Sequence, residues 1–294
     1  MAITNFFKTD KVISTAELID YVDNNIDIND DDSLVTASEM LQALANNKNA
    51  LIDILNRDLL KFDSATGASY SQSSTILGTS KKKPYIIRSN MWPSLANSSV
   101  PNIEEALFSY ELPHDHNFSF LTANYFGPGY VTDIWECTDL SQVKGYANES
   151  VPLRFLERTR LEPGKQMLFR RQHDVHIQHP PEEYSVSLNI MVLADDDRLI
   201  DQFEFDVKNN RIAGFPTGSV SSKRAFLMDL AGSLGDENTT DILLKVASAH
   251  PCQRTRAAAL SSALKLTPGA AAHLAPLIKN DKSAFVQDVL REWC

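Results

Sequence analysis

Between residues 66 and 215 the chain is written in short alternating runs. "KPYIIRSNMW", "NFSFLTANYF", "YVTDIWEC", "VPLRFLERTRL", "KQMLFRRQ", "DVHIQH", "EYSVSLNIMVL" and "LIDQFEFDV" are each of strand length, separated by Gly, Pro, Asn or Asp turns. Strands in such quick succession, with no helical period between them, bury their apolar faces by closing into an antiparallel sandwich or barrel. The flanks change period. Residues 1–65 read as helical: "TASEMLQALANNKNALIDILNRDLLKF" carries apolar residues at helical intervals, with Thr36 as N-cap and Glu39 in capping-box spacing. Residues 216–294 return to short amphipathic helices, "AFLMDLAGSLG", "TTDILLKVASA" and "RTRAAALSSALKL" among them, in HEAT-like pairs. The expected organisation is a mainly β fold with a helical N-terminal region (1–65), a β-domain (66–215) and a helical HEAT-like region (216–294). The last is expected to cap the barrel or to form a homodimer.

Charge and motif content narrow the function. A net charge of −10 argues against nucleic acid as a partner, because phosphate binding needs a basic surface. No apolar run reaches membrane-span length and no signal-peptide pattern opens the chain, so the expectation is a cytoplasmic protein without a membrane role. Cys137, Cys252 and Cys294 are widely spaced and odd in number, which writes neither a disulfide framework nor a CxxC metal site. Nucleophile-elbow, P-loop and dinucleotide motifs are absent. A small-molecule substrate fits what is left.

Five of the seven histidines fall in two clusters, "HDH" at His114 and His116 and "HDVHIQH" at His173, His176 and His179. On a strand, residues i and i+2 share a face about 7 Å apart, so His114 and His116 can converge while Asp115 points away. Neutral imidazoles in two strand-borne clusters suit Fe, Cu, Ni or Zn. Within the second cluster, His173 and His179 are an odd number of residues from His176 and point away from it. Gln178 is evenly spaced from His176 and can line the same cavity.

A barrel of short strands carrying HxH and, on a later strand, "HIQHP" followed by "SVSLNI" resembles the cupin superfamily. Within it, residues 85–193 are similar to the three-histidine thiol dioxygenases of the cysteine dioxygenase type. The resemblance implies His114 and His116 as the first two metal ligands and His176 as the third. It also implies a role for Arg88, which precedes His114 by 26 residues on the strand "YIIRSNMW": the family places an arginine there to grip the substrate carboxylate. A planar guanidinium suits that task because it binds a carboxylate bidentately. Departures are visible too. Leu121 stands where some members carry a cross-linked cysteine, and Asn189 and Met191 stand where the family has a histidine and a tyrosine, which puts thiol substrates in doubt.

The usual cupin Glu ligand is also missing, since Phe120 and Leu121 occupy its positions. A three-histidine face without a carboxylate leaves the ion its full charge and open positions for a chelating substrate and O2, which favours Fe(II). Asp174, two residues before His176, is the rival fourth ligand, and would turn the site towards sugar-isomerase or 2-oxoglutarate chemistry. Tyr125 and Tyr130 flank the turn "FGPG" at the expected mouth of the barrel, where a phenol can donate a proton. The expected activity is a non-haem iron oxygenase acting on a small carboxylate-bearing molecule such as an amino acid or a derivative. The rivals are a metal-dependent isomerase, epimerase or lyase and a non-enzymatic ligand-binding module.

Overall fold

The structure is a computed structural model that describes residues 3–60, 69–71, 73–193, 196, 199–216, 219–270 and 280–293. The expected boundary near residue 65, together with His273 and Cys294, lies outside the described residues. Two compact units are present, one of residues 1–195 with 203–214, the other of 196–202 with 215–294.

In the first unit a strand, β1 (Ile3–Phe6), precedes four helices: α1 (Thr15–Asn25), α2 (Asp31–Val35), α3 (Ser38–Ala45) and α4 (Asn49–Leu59). Then come β2 (Ser69–Ser71), β3 (Ser74–Thr79), β4 (Tyr85–Trp92), a helix α5 (Pro101–Leu107), β5 (Phe120–Phe126) and β6 (Val131–Cys137). The unit closes with β7 (Leu153–Arg160), β8 (Lys165–Phe169), β9 (Asp174–His179), β10 (Ser185–Val192), β11 (Glu204–Asp206) and β12 (Arg211–Gly214). A seven-stranded sheet runs β1-β8-β5-β10-β4-β3-β2, a three-stranded sheet β7-β6-β9, and β11 and β12 form a hairpin, all in antiparallel pairs. The short strands thus pair antiparallel throughout, as the alternating pattern predicts.

Strand parity divides the large sheet into two faces. Ile87 on β4, Leu121 and Ala123 on β5, and Leu188 and Ile190 on β10 pack with Leu18 and Val22 of α1 and Leu41 and Leu44 of α3 in one core. Their neighbours Ile86, Trp92, Phe120 and Met191 turn the other way and pack with Tyr130, Ile134, Leu161 and Phe169 in a second core. Full burial of each such side chain contributes about 1.5–3 kcal/mol. Polar bonds fix α1 to the sheet: the Tyr85 hydroxyl reaches the Ile19 carbonyl (3.0 Å) and Asp23 Oδ1 (2.9 Å), and Lys83 Nζ donates to the Val22 and Ile26 carbonyls at the helix's C-terminal end.

Three local expectations are corrected. Thr36 caps no N-terminus: it closes α2, its hydroxyl donating to the Ser33 carbonyl (2.6 Å), and α3 starts after Ala37 with no side-chain cap. The capping box lies at Ser14 and Glu17 instead. The β-region is interrupted by α5, and the N-terminal region contributes β1, an edge strand paired with β8.

In the second unit α6 (Val220–Leu234), α7 (Glu237–Ala249), α8 (Gln253–Leu266) and α9 (Ala284–Trp293) share a core of Leu243, Ala247, Leu260, Ala263, Leu264, Val286 and Leu290. Arg256 forms a forked pair with Asp281 (2.7 and 3.0 Å), and the Arg254 guanidinium lies between the Phe215 and Phe285 rings. His250 is structural, its Nδ1 accepting from the Cys252 amide (3.0 Å). Among the described residues no helix is long and apolar enough to cross a membrane.

The turn "FGPG" carries the chain from β5 in the large sheet to β6 in the small one. Gly129 adopts φ +81, its amide donates to Ser185 Oγ, and a Cβ there would meet the Leu161 carbonyl oxygen at 1.8 Å. Gly129→Ala should destabilise the protein by at least about 1–3 kcal/mol, the usual scale for forced backbone strain. Chemical denaturation checks this, and an unchanged midpoint would contradict it.

Candidate metal centre

His176 sits on β9, the edge of the small sheet, opposite Ile134 of β6, and its parity turns the imidazole towards the large sheet. The HxH segment is not the regular strand that its i, i+2 spacing predicts. It is irregular chain laid along β9, joined by reciprocal backbone bonds between His114 and His176 (3.0 and 2.9 Å) and by the Gln172 amide donating to the His116 carbonyl (2.8 Å). Asp115 points away, where its carboxylate accepts from the Phe203 amide (2.7 Å) and ties the segment to the β11 end of the hairpin.

The three imidazoles therefore converge. Their closest ring nitrogens all lie within 4.8 Å of one another, and Nε2 of His116 stands 2.9 Å from Nε2 of His176. Two nitrogens bound to one ion at about 2.1 Å and at right angles are about 3 Å apart, so the donor set fits a first-row transition metal. His114 Nδ1–H donates to the Leu112 carbonyl (2.8 Å), which fixes the tautomer and leaves Nε2 available. Burial holds His114 below the ordinary imidazole range. It holds His116 and His176 well below, with neighbouring His114 adding to both, and with His176 and Arg88 adding further at His116. Neutral rings are what ligation requires.

A cavity of about 130 Å³ opens beside them, lined among others by Arg88, Asn90, Trp92, His114, His116, Phe120, Tyr130, Gln178 and Asn189. Arg88 is 8% exposed, with its guanidinium carbon 5.7 Å from the Phe118 ring centre. The Gln178 amide nitrogen rests 3.3 Å from Nδ1 and 3.4 Å from Nε2 of His176, against the edge of the ring. Burial pushes the Tyr130 phenol above its usual range, and the Thr122 hydroxyl and then the Arg88 charge oppose this only in part, so the hydroxyl keeps its proton.

Tyr125 is not part of this site. It is an odd number of residues from Phe120, so parity turns it to the helix-covered face, where its hydroxyl reaches the carbonyls of Asn47 (3.0 Å) and Lys48 (2.9 Å). Asp174 is no fourth ligand either: its carboxylate is engaged by the Arg170 backbone amide (2.7 Å), Nε (3.1 Å) and Nη2 (2.7 Å). His179 points outward to Glu111 (2.7 Å) and Asp133 (3.2 Å), and His173 Nδ1 lies 3.4 Å from the Cys137 carbonyl oxygen. Asn90 is an addition to the residues singled out in the sequence. Its signal was available, since it follows Arg88 at strand spacing on the same face.

No protein family and no curated protein matches the chain. Solved structures resemble it weakly. A salicylate 1,2-dioxygenase from Pseudaminobacter salicylatoxidans is 12% identical over 48% of this chain and 32% of that one, with a TM-score of 0.26. A hydroquinone 1,2-dioxygenase from Sphingomonas sp. TTNP3 is 12% identical over 43% of this chain and 68% of that one, with a TM-score of 0.26. A DMSP lyase from Ruegeria pomeroyi is 12% identical over 45% and 53%, with a TM-score of 0.23. The match spans about a third of the salicylate dioxygenase's length. At such scores the chemistry has to be argued from the site itself.

Removing one imidazole should unmake the donor set without unmaking the sheet. His176→Ala should lose metal on dialysis while keeping the wild-type far-UV spectrum, whereas His173→Ala and His179→Ala should load normally. Metal retained by the first, or lost by either of the others, would contradict the geometry. Because burial depresses all three imidazoles, metal retention should also stay flat as pH falls through about 6.5, where exposed histidine protonates, and decline only below it. A loss centred at the ordinary histidine value would refute that.

Proposed function

We propose that the protein is a cupin-type non-haem Fe(II)-dependent oxygenase that uses O2 on a small carboxylate-bearing molecule. His114, His116 and His176 hold the metal and Arg88 binds the carboxylate. The observation that carries this reading is the buried guanidinium of Arg88 in the same small cavity as His114 and His116, two of the three clustered imidazoles. Among the described residues lining that cavity none is acidic, so its charge suits an anionic substrate. A three-histidine ion keeps its full positive charge and offers open positions to O2 and to a chelating ligand.

The chain's own groups account for the rest. Arg88 can take a carboxylate in a bidentate fork, fixing which end of the substrate faces the histidines. Gln178 braces the His176 ring. Phe120 and Phe169, with ring centres 5.0 Å from His116 and 4.4 Å from His176, wall the imidazoles off from water. Tyr130 holds a proton within the cavity for a developing anion. That phenol also favours a second reading, a lyase or isomerase in which an ion held by the three histidines would supply Lewis acidity and Tyr130 would move a proton. Oxygen consumption separates the two. For the helical unit we propose a HEAT-like module serving dimerisation or partner contact.

Arg88 gives the sharpest test. In an oxygen-electrode assay with Fe(II)-loaded protein and short carboxylic acids, Arg88→Lys should keep its metal yet lose most substrate-dependent uptake, because the ammonium keeps the charge without the fork. Arg88→Ala should weaken carboxylate binding by about 1.5–3 kcal/mol, the scale of a charged hydrogen-bonded contact. Affinity and uptake unchanged in the Ala variant would remove the carboxylate from the proposal.

A further inference from the structure

The sheet face opposite the histidines is polar at its centre. Arg88 and Asn90 succeed each other on β4, and Asn189 lies directly across from Arg88 on β10. Positions related in this way stand about 5–7 Å apart on one face, so the three side chains form a single patch in the cavity wall. Asn189 is 1% exposed and Gln178 5%. Yet Asn189 Nδ2, Asn90 Oδ1 and Gln178 Oε1 are buried and find no hydrogen-bond partner among the described residues. Buried amides left in this state are destabilising and rare in folded proteins. Here all three line one cavity.

We propose that Arg88, Asn90 and Asn189 form a subsite for a short hydroxycarboxylate, with the carboxylate on Arg88 and the hydroxyl between the two amides. The inference rests on the carboxylate reading of Arg88 and narrows it. One amide donor and one amide acceptor match a hydroxyl, which both gives and takes a hydrogen bond. An ammonium has three donors and no acceptor. Among the described residues of this cavity it would meet Arg88 and no anionic side chain, so the amino acid of the same size is disfavoured. Volume sets the length: a cavity of roughly 150 Å³ takes a six-carbon ring, and the 130 Å³ here suits an acid of three or four carbons.

The test is calorimetric titration of the full-length protein, metal-free and Fe(II)-loaded under argon, with lactate, 3-hydroxypropionate, propionate and alanine. At least one hydroxy acid should bind about tenfold more tightly than propionate, the scale of one well-made hydrogen bond, and alanine no more tightly than propionate. The preference should persist without metal, because it comes from the amides. Asn90→Ala and Asn189→Ala should each bring the hydroxy acid down to the propionate affinity while leaving propionate unchanged, which also shows that the variants fold. Equal affinities for the hydroxy acid and propionate, tightest binding of alanine, or equal weakening of all acids by the amide variants would overturn the subsite alone. Failure of wild type to bind any of the acids would overturn the carboxylate reading with it.

Discussion

One antiparallel bridge holds the centre of this protein. The reciprocal backbone bonds between His114 and His176 join a segment with no regular structure to the edge of β9, and they convert a separation of about sixty residues into rings whose centres are 4.7 Å apart. Everything else at the site is arranged around that contact. Asp115 anchors the segment on its outer side, so His114 and His116 face inward together. An i, i+2 pair on a free loop would lose that shared orientation to conformational entropy.

The large sheet supplies the opposite wall, and its two faces do different work. One is apolar and covered by α1 and α3. The other is apolar at its rim, where Trp92, Phe120 and Met191 pack, and polar in the middle, where Arg88, Asn90 and Asn189 stand. The rim excludes water, which strengthens the electrostatic consequences of the middle: imidazoles become harder to protonate and the Tyr130 phenol harder to ionise. A cation and several amides in such a place lower stability compared with an apolar core. A ligand that bonded to the Asn90 and Asn189 amides would offset that cost.

Much of this was legible in the sequence, for identifiable reasons. Alternation located β4, β5, β6, β9 and β10 because each is buried on at least one face, and parity on β9 separated His176 from His179, while His173 lies in the turn before the strand. What parity could not supply was register between strands. Tyr125 and Tyr130 looked equivalent beside "FGPG", yet one lies on β5 and obeys its alternation, while the other follows the turn and escapes it. Asp174 shares the parity of His176, but its capture by Arg170 is a local contact that spacing does not announce. Thr36 failed as an N-cap because a short helix, α2, ends there, and a residue closing one helix cannot cap the next in the same way.

The central claim is that three histidines from two distant segments bind one metal ion. Anomalous diffraction at the iron edge, from crystals grown anaerobically with Fe(II), tests it most directly. The account predicts one dominant peak roughly 2.1 Å from Nε2 of each of His114, His116 and His176, with Asp174 still held by Arg170. A peak elsewhere with the three imidazoles unligated, or a peak bound by Asp174, would contradict it.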